Sequence, residues 1–110
     1  MSLDFYLMVP DETAPDGQRY VFGENATHNL TPMWREACVY DALYMSDGRP
    51  AWSQIATLML GVLTMIVYPD TFKALEPANG WGNYEGALEF LQNVCQACVS
   101  NPEAIIHISK

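Results

Sequence analysis

Cations are scarce in this chain. Five Lys and Arg stand against thirteen Asp and Glu in 110 residues, giving a formal net charge of −8. Nucleic acids are held largely by cations that neutralise phosphates, so this balance excludes a nucleic-acid-binding role. Anionic membrane surfaces repel such a chain for the same reason. Charge of either sign is thin as well, at 16% of residues, and an intrinsically disordered chain would carry more. Three cysteines, an odd number, build no disulfide framework and suit a reducing cytoplasm. No charge falls between Arg49 and Asp70, yet the dense apolar part, Ile55 to Tyr68, is shorter than the ~20 residues that span a bilayer. Thr57, Gly61 and Thr64 also interrupt it. The opening Met1-Ser2-Leu3-Asp4 lacks the basic region of a secretory signal. Gly-x-Ser-x-Gly, a phosphate loop, a dinucleotide fingerprint and His-Glu-x-x-His are all missing. Repeats, linkers and low-complexity tracts are missing too. A non-enzymatic, cytoplasmic protein without cofactor is the expectation.

Half of the residues are hydrophobic, enough for one core in a single domain over 1–110. The acidic excess makes a basic protein surface the natural macromolecular partner; keeping the chain soluble is the plainer use of the same charge.

Leu3 to Val9 reads as a strand closed by Pro10, followed by a polar turn over 11–17 and a short strand over 19–23. Thr31 as N-cap and Pro32 at the first helical position start a helix that ends near Ser46-Asp47-Gly48. A second helix is predicted from Ala51 to Tyr68. Trp52, Ile55, Met59, Val62 and Ile66 form a stripe that Leu58, Leu63 and Met65 widen almost all round. Such a helix lies at the centre of a fold or in a subunit interface, so a homo-oligomer through 51–68 is one expectation. Glu76 to Gly82 is a loop, and a last helix runs from Tyr84 to Ser100. Ala104 to Ser109 closes the chain as a strand. The predicted fold is α+β: a small antiparallel sheet with the first and last strands paired and three helices packed on one face.

Two polar segments stand just before helices. Asn79-Gly80-Trp81-Gly82-Asn83-Tyr84-Glu85 sets a Trp between glycines at a helix start. Either Trp81, Asn83, Tyr84 and Glu85 line a ligand or partner site, or the glycines serve a turn and Trp81 plugs the core. In Asn25-Ala26-Thr27-His28-Asn29-Leu30-Thr31, either Asn25, Thr27, His28 and Asn29 bind a ligand or partner, or they order a turn and cap. Cys95-Gln96-Ala97-Cys98 falls on the apolar face of a helix, away from the N-terminal position that activates a thiol. Zinc would need two more ligands, and Cys38, His28 and His107 offer no paired spacing. Core packing is expected there, and no metal. His107 reads as structural or edge-exposed.

The two polar segments resemble a family of small proteins encoded by bacteriophages and prophages. Asn25-Ala26-Thr27-His28-Asn29-Leu30 and Asn79-Gly80-Trp81-Gly82-Asn83-Tyr84-Glu85 carry the resemblance, and Leu3-Asp4-Phe5-Tyr6-Leu7 and Ile106-His107-Ile108-Ser109 fit it. The start of the first helix, Thr31-Pro32-Met33-Trp34, departs from the pattern. The resemblance implies a phage origin and no particular activity. Three roles follow as expectations. The first is a non-enzymatic inhibitor of a host protein with a basic surface, such as a CRISPR-type antiviral effector. The second is a sponge for a nucleotide-like signal, with Trp81 stacked on a base. The third is a structural or oligomeric phage protein.

Overall fold

A computed structural model describes residues 2–110. Its sheet has three antiparallel strands in the order β2-β1-β3: β1 is Ser2–Pro10, β2 is Gln18–Thr27 and β3 is Ile105–Ser109. Alternation along β1 sends Leu3, Phe5 and Leu7 into the core, all fully buried, and turns Asp4, Tyr6 and Met8 to the opposite face. The first and last strands pair as expected, with Tyr6 opposite His107.

The second strand is longer than its sequence suggests. It runs through Glu24, Asn25 and Ala26, with Asn25 opposite Asp4 and Ala26 opposite Leu3. Gly, Glu and Asn are poor strand formers, but pairing along the full length of β1 overrides that preference. A register shift between Leu7 and Met8 places Phe22 opposite Leu7 and Tyr20 opposite Met8, so Val21 is the extra residue of a bulge.

The helical part comprises five α-helices and two 3₁₀ turns among the described residues. The helix expected from Thr31 to about Ser46 is split into α1 (Thr31–Glu36) and α2 (Tyr40–Tyr44). The break lies at Cys38, whose φ is 60°. The Val39 N–H donates to Trp34 O and the Cys38 N–H to Arg35 O, which is the paired closure of a Schellman motif. Cysteine at the position where glycine is usual is what hides this stop in the sequence. Thr31 is not the cap that was expected. Leu30 occupies that place without a side-chain bond, while the Thr27 hydroxyl accepts from Asn29 N–H and caps the preceding 3₁₀ turn, His28–Leu30.

The predicted helix over 51–68 begins as a 3₁₀ turn, Ala51–Gln54, and continues as α3 (Ile55–Val67). A short α4 follows (Pro69–Lys73), and α5 spans Tyr84–Ser100 as expected. α5 lies on β1 and β2, and α3 packs against α5. The core joins Phe5, Trp34, Leu43, Leu58, Phe72 and Leu91. The inward side of α3 is Leu58, Gly61 and Met65. Of the stripe predicted for this helix, Trp52, Met59 and Ile66 face solvent instead. Periodicity places 52, 59 and 66 together but cannot say which side of an all-apolar helix meets the core.

Candidate functional site

The segment before α5 is a turn with its own local contacts. Gly80 and Gly82 both have positive φ, and the Trp81 N–H donates to Asn79 Oδ1 at 2.9 Å. Gly82 is packed tightly: a Cβ there would lie 2.8 Å from Leu30 Cδ2 and 3.2 Å from Thr27 Cγ2. The two polar segments therefore meet, through Gly82, Leu30 and Thr27. Trp81 itself is 70% exposed. It plugs no core, and its indole is displayed at the surface by a loop whose backbone is held on both sides.

The N-terminus of α5 is already filled. Asn83 caps it by accepting from Gly86 N–H at 2.7 Å, and Glu76 Oε2 accepts from Tyr84 N–H at 2.7 Å. Glu85 adds a carboxylate in the first turn. The favourable charge for a helix N-terminus is negative, and here the chain's own side chains supply it.

The remaining sequence-chosen residues point elsewhere. Tyr84 is buried and its hydroxyl donates to Met65 O at 2.6 Å, tying α5 to α3. His28 turns inward to α2, with Nδ1 2.8 Å from the Tyr44 hydroxyl. Burial pushes the Tyr44 hydroxyl's pKa up, so it stays protonated. Tyr44 stacks on Tyr40, and Arg35 lies 4.0 Å over the Tyr40 ring in a cation–π contact. Thr31 also closes on this segment, its hydroxyl donating to His28 O. Asn25 lies on the outer face of the sheet and donates to Asp4 Oδ1 at 2.8 Å. Asn29 is exposed and donates to the Thr27 hydroxyl. Trp81, Asn83 and Glu85 are thus the exposed group at the loop and helix start, while His28, Tyr84 and Asn25 hold separate parts of the fold.

Comparison of the chain with family models, with curated proteins and with solved structures gives no match.

A second feature was only half visible in the sequence. α3 leaves Met59, Leu60, Leu63, Ile66 and Val67 exposed, and with α5 it forms an apolar groove of about 810 Å³. The signal in the sequence was a charge-free helix apolar on every side, which allowed a buried or an interfacial position.

No group of three or more His, Cys, Asp or Glu suited to a metal ion occurs among the described residues, and no described helix is long and apolar enough to cross a membrane. Cys95 and Cys98 are buried free thiols in α5, and Cys38 is exposed. Burial pushes the Cys95 thiol up. It pushes Cys98 up to about 12, with Cys95 beside it adding to the shift. Thiolates react and thiols do not, so alkylation of the folded protein near neutral pH should modify Cys38 alone, and all three after unfolding. Mass spectrometry of the two samples checks this; rapid labelling of Cys98 in the folded state would contradict the packing. The raised values also set a sign. They favour the protonated folded form, so this stability is complete below the ordinary thiol value of 9.0 and falls as pH rises toward about 12.

Proposed function

We propose that the chain acts by binding a protein, as a non-enzymatic inhibitor of a host component, with Trp81 as the anchor of the contact. The observation that carries this reading is the 70% exposure of Trp81 on a loop fixed by Asn79, Gly82 and Leu30. Tryptophan is among the commonest hot-spot residues of interfaces, and its side chain carries few rotatable bonds to order on binding. The carboxylates of Glu76 and Glu85 stand at the adjoining helix start, so the matching partner surface is basic, with an Arg or Lys able to sit on the indole face. A phage setting for this host partner rests on the resemblance of the two polar segments.

A nucleotide sponge fits the same loop less well. Phosphates are drawn to free N–H groups and positive charge at a helix start. Asn83 and Glu76 already occupy the α5 donors Gly86 N–H and Tyr84 N–H, and Glu85 would repel a phosphate. Lys73, 5.5 Å from the Tyr84 ring centroid, is the cation placed near this helix start.

Affinity capture from host lysate, with the wild type beside Trp81→Ala, tests the proposal. A stoichiometric protein that the wild type retains and the variant loses is the expected result. No such protein, with nucleobase absorbance released on denaturing the purified chain, would replace this reading with the sponge.

A further inference from the structure

Apart from the Trp81 loop, the outward face of α3 is a second exposed surface. We infer that this face is covered by a second copy of the chain, forming a symmetric dimer across α3 and α5. α3 has two apolar sides. The inward one is Leu58, Gly61 and Met65. The outward one runs Ala56, Leu60, Leu63 and Val67, spaced by four, three and four residues, with Met59 and Ile66 beside it. That alternation of three and four is the seam by which one helix pairs with another, and a second copy brings an identical helix with an identical seam.

Area points the same way. Leu60 is 64% and Leu63 56% exposed, and Met59, Ile66, Val67 and Val99 are exposed to similar degrees. Side chains of this size leave on the order of 600 Å² of apolar surface open, at the upper end for a monomer's largest patch and most of the ~800 Å² one partner of a stable interface buries.

Charge selects the occupant. α3 contains no ionisable side chain, and α5 adds Gln92, Asn93 and Gln96 to the groove rather than Glu or Lys. A basic partner would be drawn to carboxylates; among the described residues none lines this groove, and Glu24, which touches its lining, is held by the Asn93 side-chain N–H at 3.0 Å. Two chains that each carry −8 can meet only where no like charges are brought together, since such juxtaposition is costly. Asn93 donates to Glu24 Oε1 and Gln96 to the Ser100 hydroxyl, which leaves their carboxamide oxygens and the Gln92 carboxamide to pair across a two-fold axis. Leu60 and Leu63 lie on either side of the middle of the outward seam, so both fall near that axis.

The experiment is light scattering on the eluting peak of a sizing column, over a range of concentration and salt. The wild type should elute with twice the mass of one chain. Added salt should tighten the dimer slightly, by screening the repulsion between two acidic chains. Leu63→Glu and Leu63→Arg should each be monomeric, with circular dichroism unchanged because the side chain is exposed. An equimolar mixture of the two variants should form more dimer than either alone, since Glu and Arg are brought close to each other near the axis. A wild type that stays monomeric at high concentration, or a dimer that survives both substitutions, overturns the inference. Neither result bears on capture through Trp81.

Discussion

Replacing Trp34 by alanine should destabilise the fold by about 3–5 kcal/mol, the range for truncating a large buried aromatic. Trp34 is fully buried, at the point where α1 turns toward α2, and its ring meets Phe90 of α5 at a centroid distance of 5.7 Å. Truncation leaves a cavity between α1 and α5 that their backbones cannot close without moving. The indole Nε1–H is buried with no hydrogen-bond partner among the described residues. An unsatisfied buried donor costs ~1–3 kcal/mol, and phenylalanine removes that donor while keeping most of the ring. Trp34→Phe should therefore cost less than about 1.5 kcal/mol. Urea denaturation of both variants checks the pair. Equal losses for alanine and phenylalanine would mean that the indole N–H is satisfied and contributes to stability.

Gly61→Ala should lower stability by about 1–2 kcal/mol, against the ~1 kcal/mol that helix propensity alone would add. Gly61 lies on the inward side of α3, and a Cβ there would collide with Val39 Cγ1 and reach 3.4 Å from Leu91 Cδ2. The obstacle is a β-branched side chain just past the Cys38 turn, where the backbone is held by the Val39 N–H bond to Trp34 O. Val39 thus has little room to retreat, and α3 would be pushed away from the Cys38 turn. Val39→Ala removes the colliding methyls, so the double variant should lose less than the sum of the single losses, by at least about 0.5 kcal/mol. Thermal melts of the three variants read this out. A Gly61→Ala protein more stable than the wild type would show that the contact between α3 and the Cys38 turn is looser than drawn.

Much of the fold was legible because its signals are local. Pro10, the 76–82 loop and Asn101-Pro102 punctuate the chain, and α5 carries a clean apolar face; β1, α5 and β3 follow from these. The rest depended on partners distant in sequence. β2 reaches Thr27 because β1 is there to pair with it, and the first helix breaks at Cys38 because two backbone bonds close there without the usual glycine. α3 showed its helical period but not which side turns inward, since a helix without charge gives periodicity nothing to contrast. At the candidate site, the sequence singled out the 79–85 segment and could not orient it. Trp81 between two glycines reads equally as plug or anchor, and its exposure follows from Gly82 being pressed against Leu30 and Thr27. His28 and Tyr84 stand in the same two segments, yet each is turned to an internal partner, Tyr44 and Met65 O.

The most direct test of the proposed contact is an equilibrium titration of the protein that affinity capture retains against the wild type and Trp81→Ala, at low and at raised salt. A displayed aromatic anchor predicts a loss of at least about 2 kcal/mol on truncation, roughly thirtyfold in Kd. Attraction between an acidic chain and a basic surface predicts weaker binding as salt rises. Equal affinity for both proteins, or affinity indifferent to salt, would contradict a contact centred on Trp81 and the carboxylates beside it.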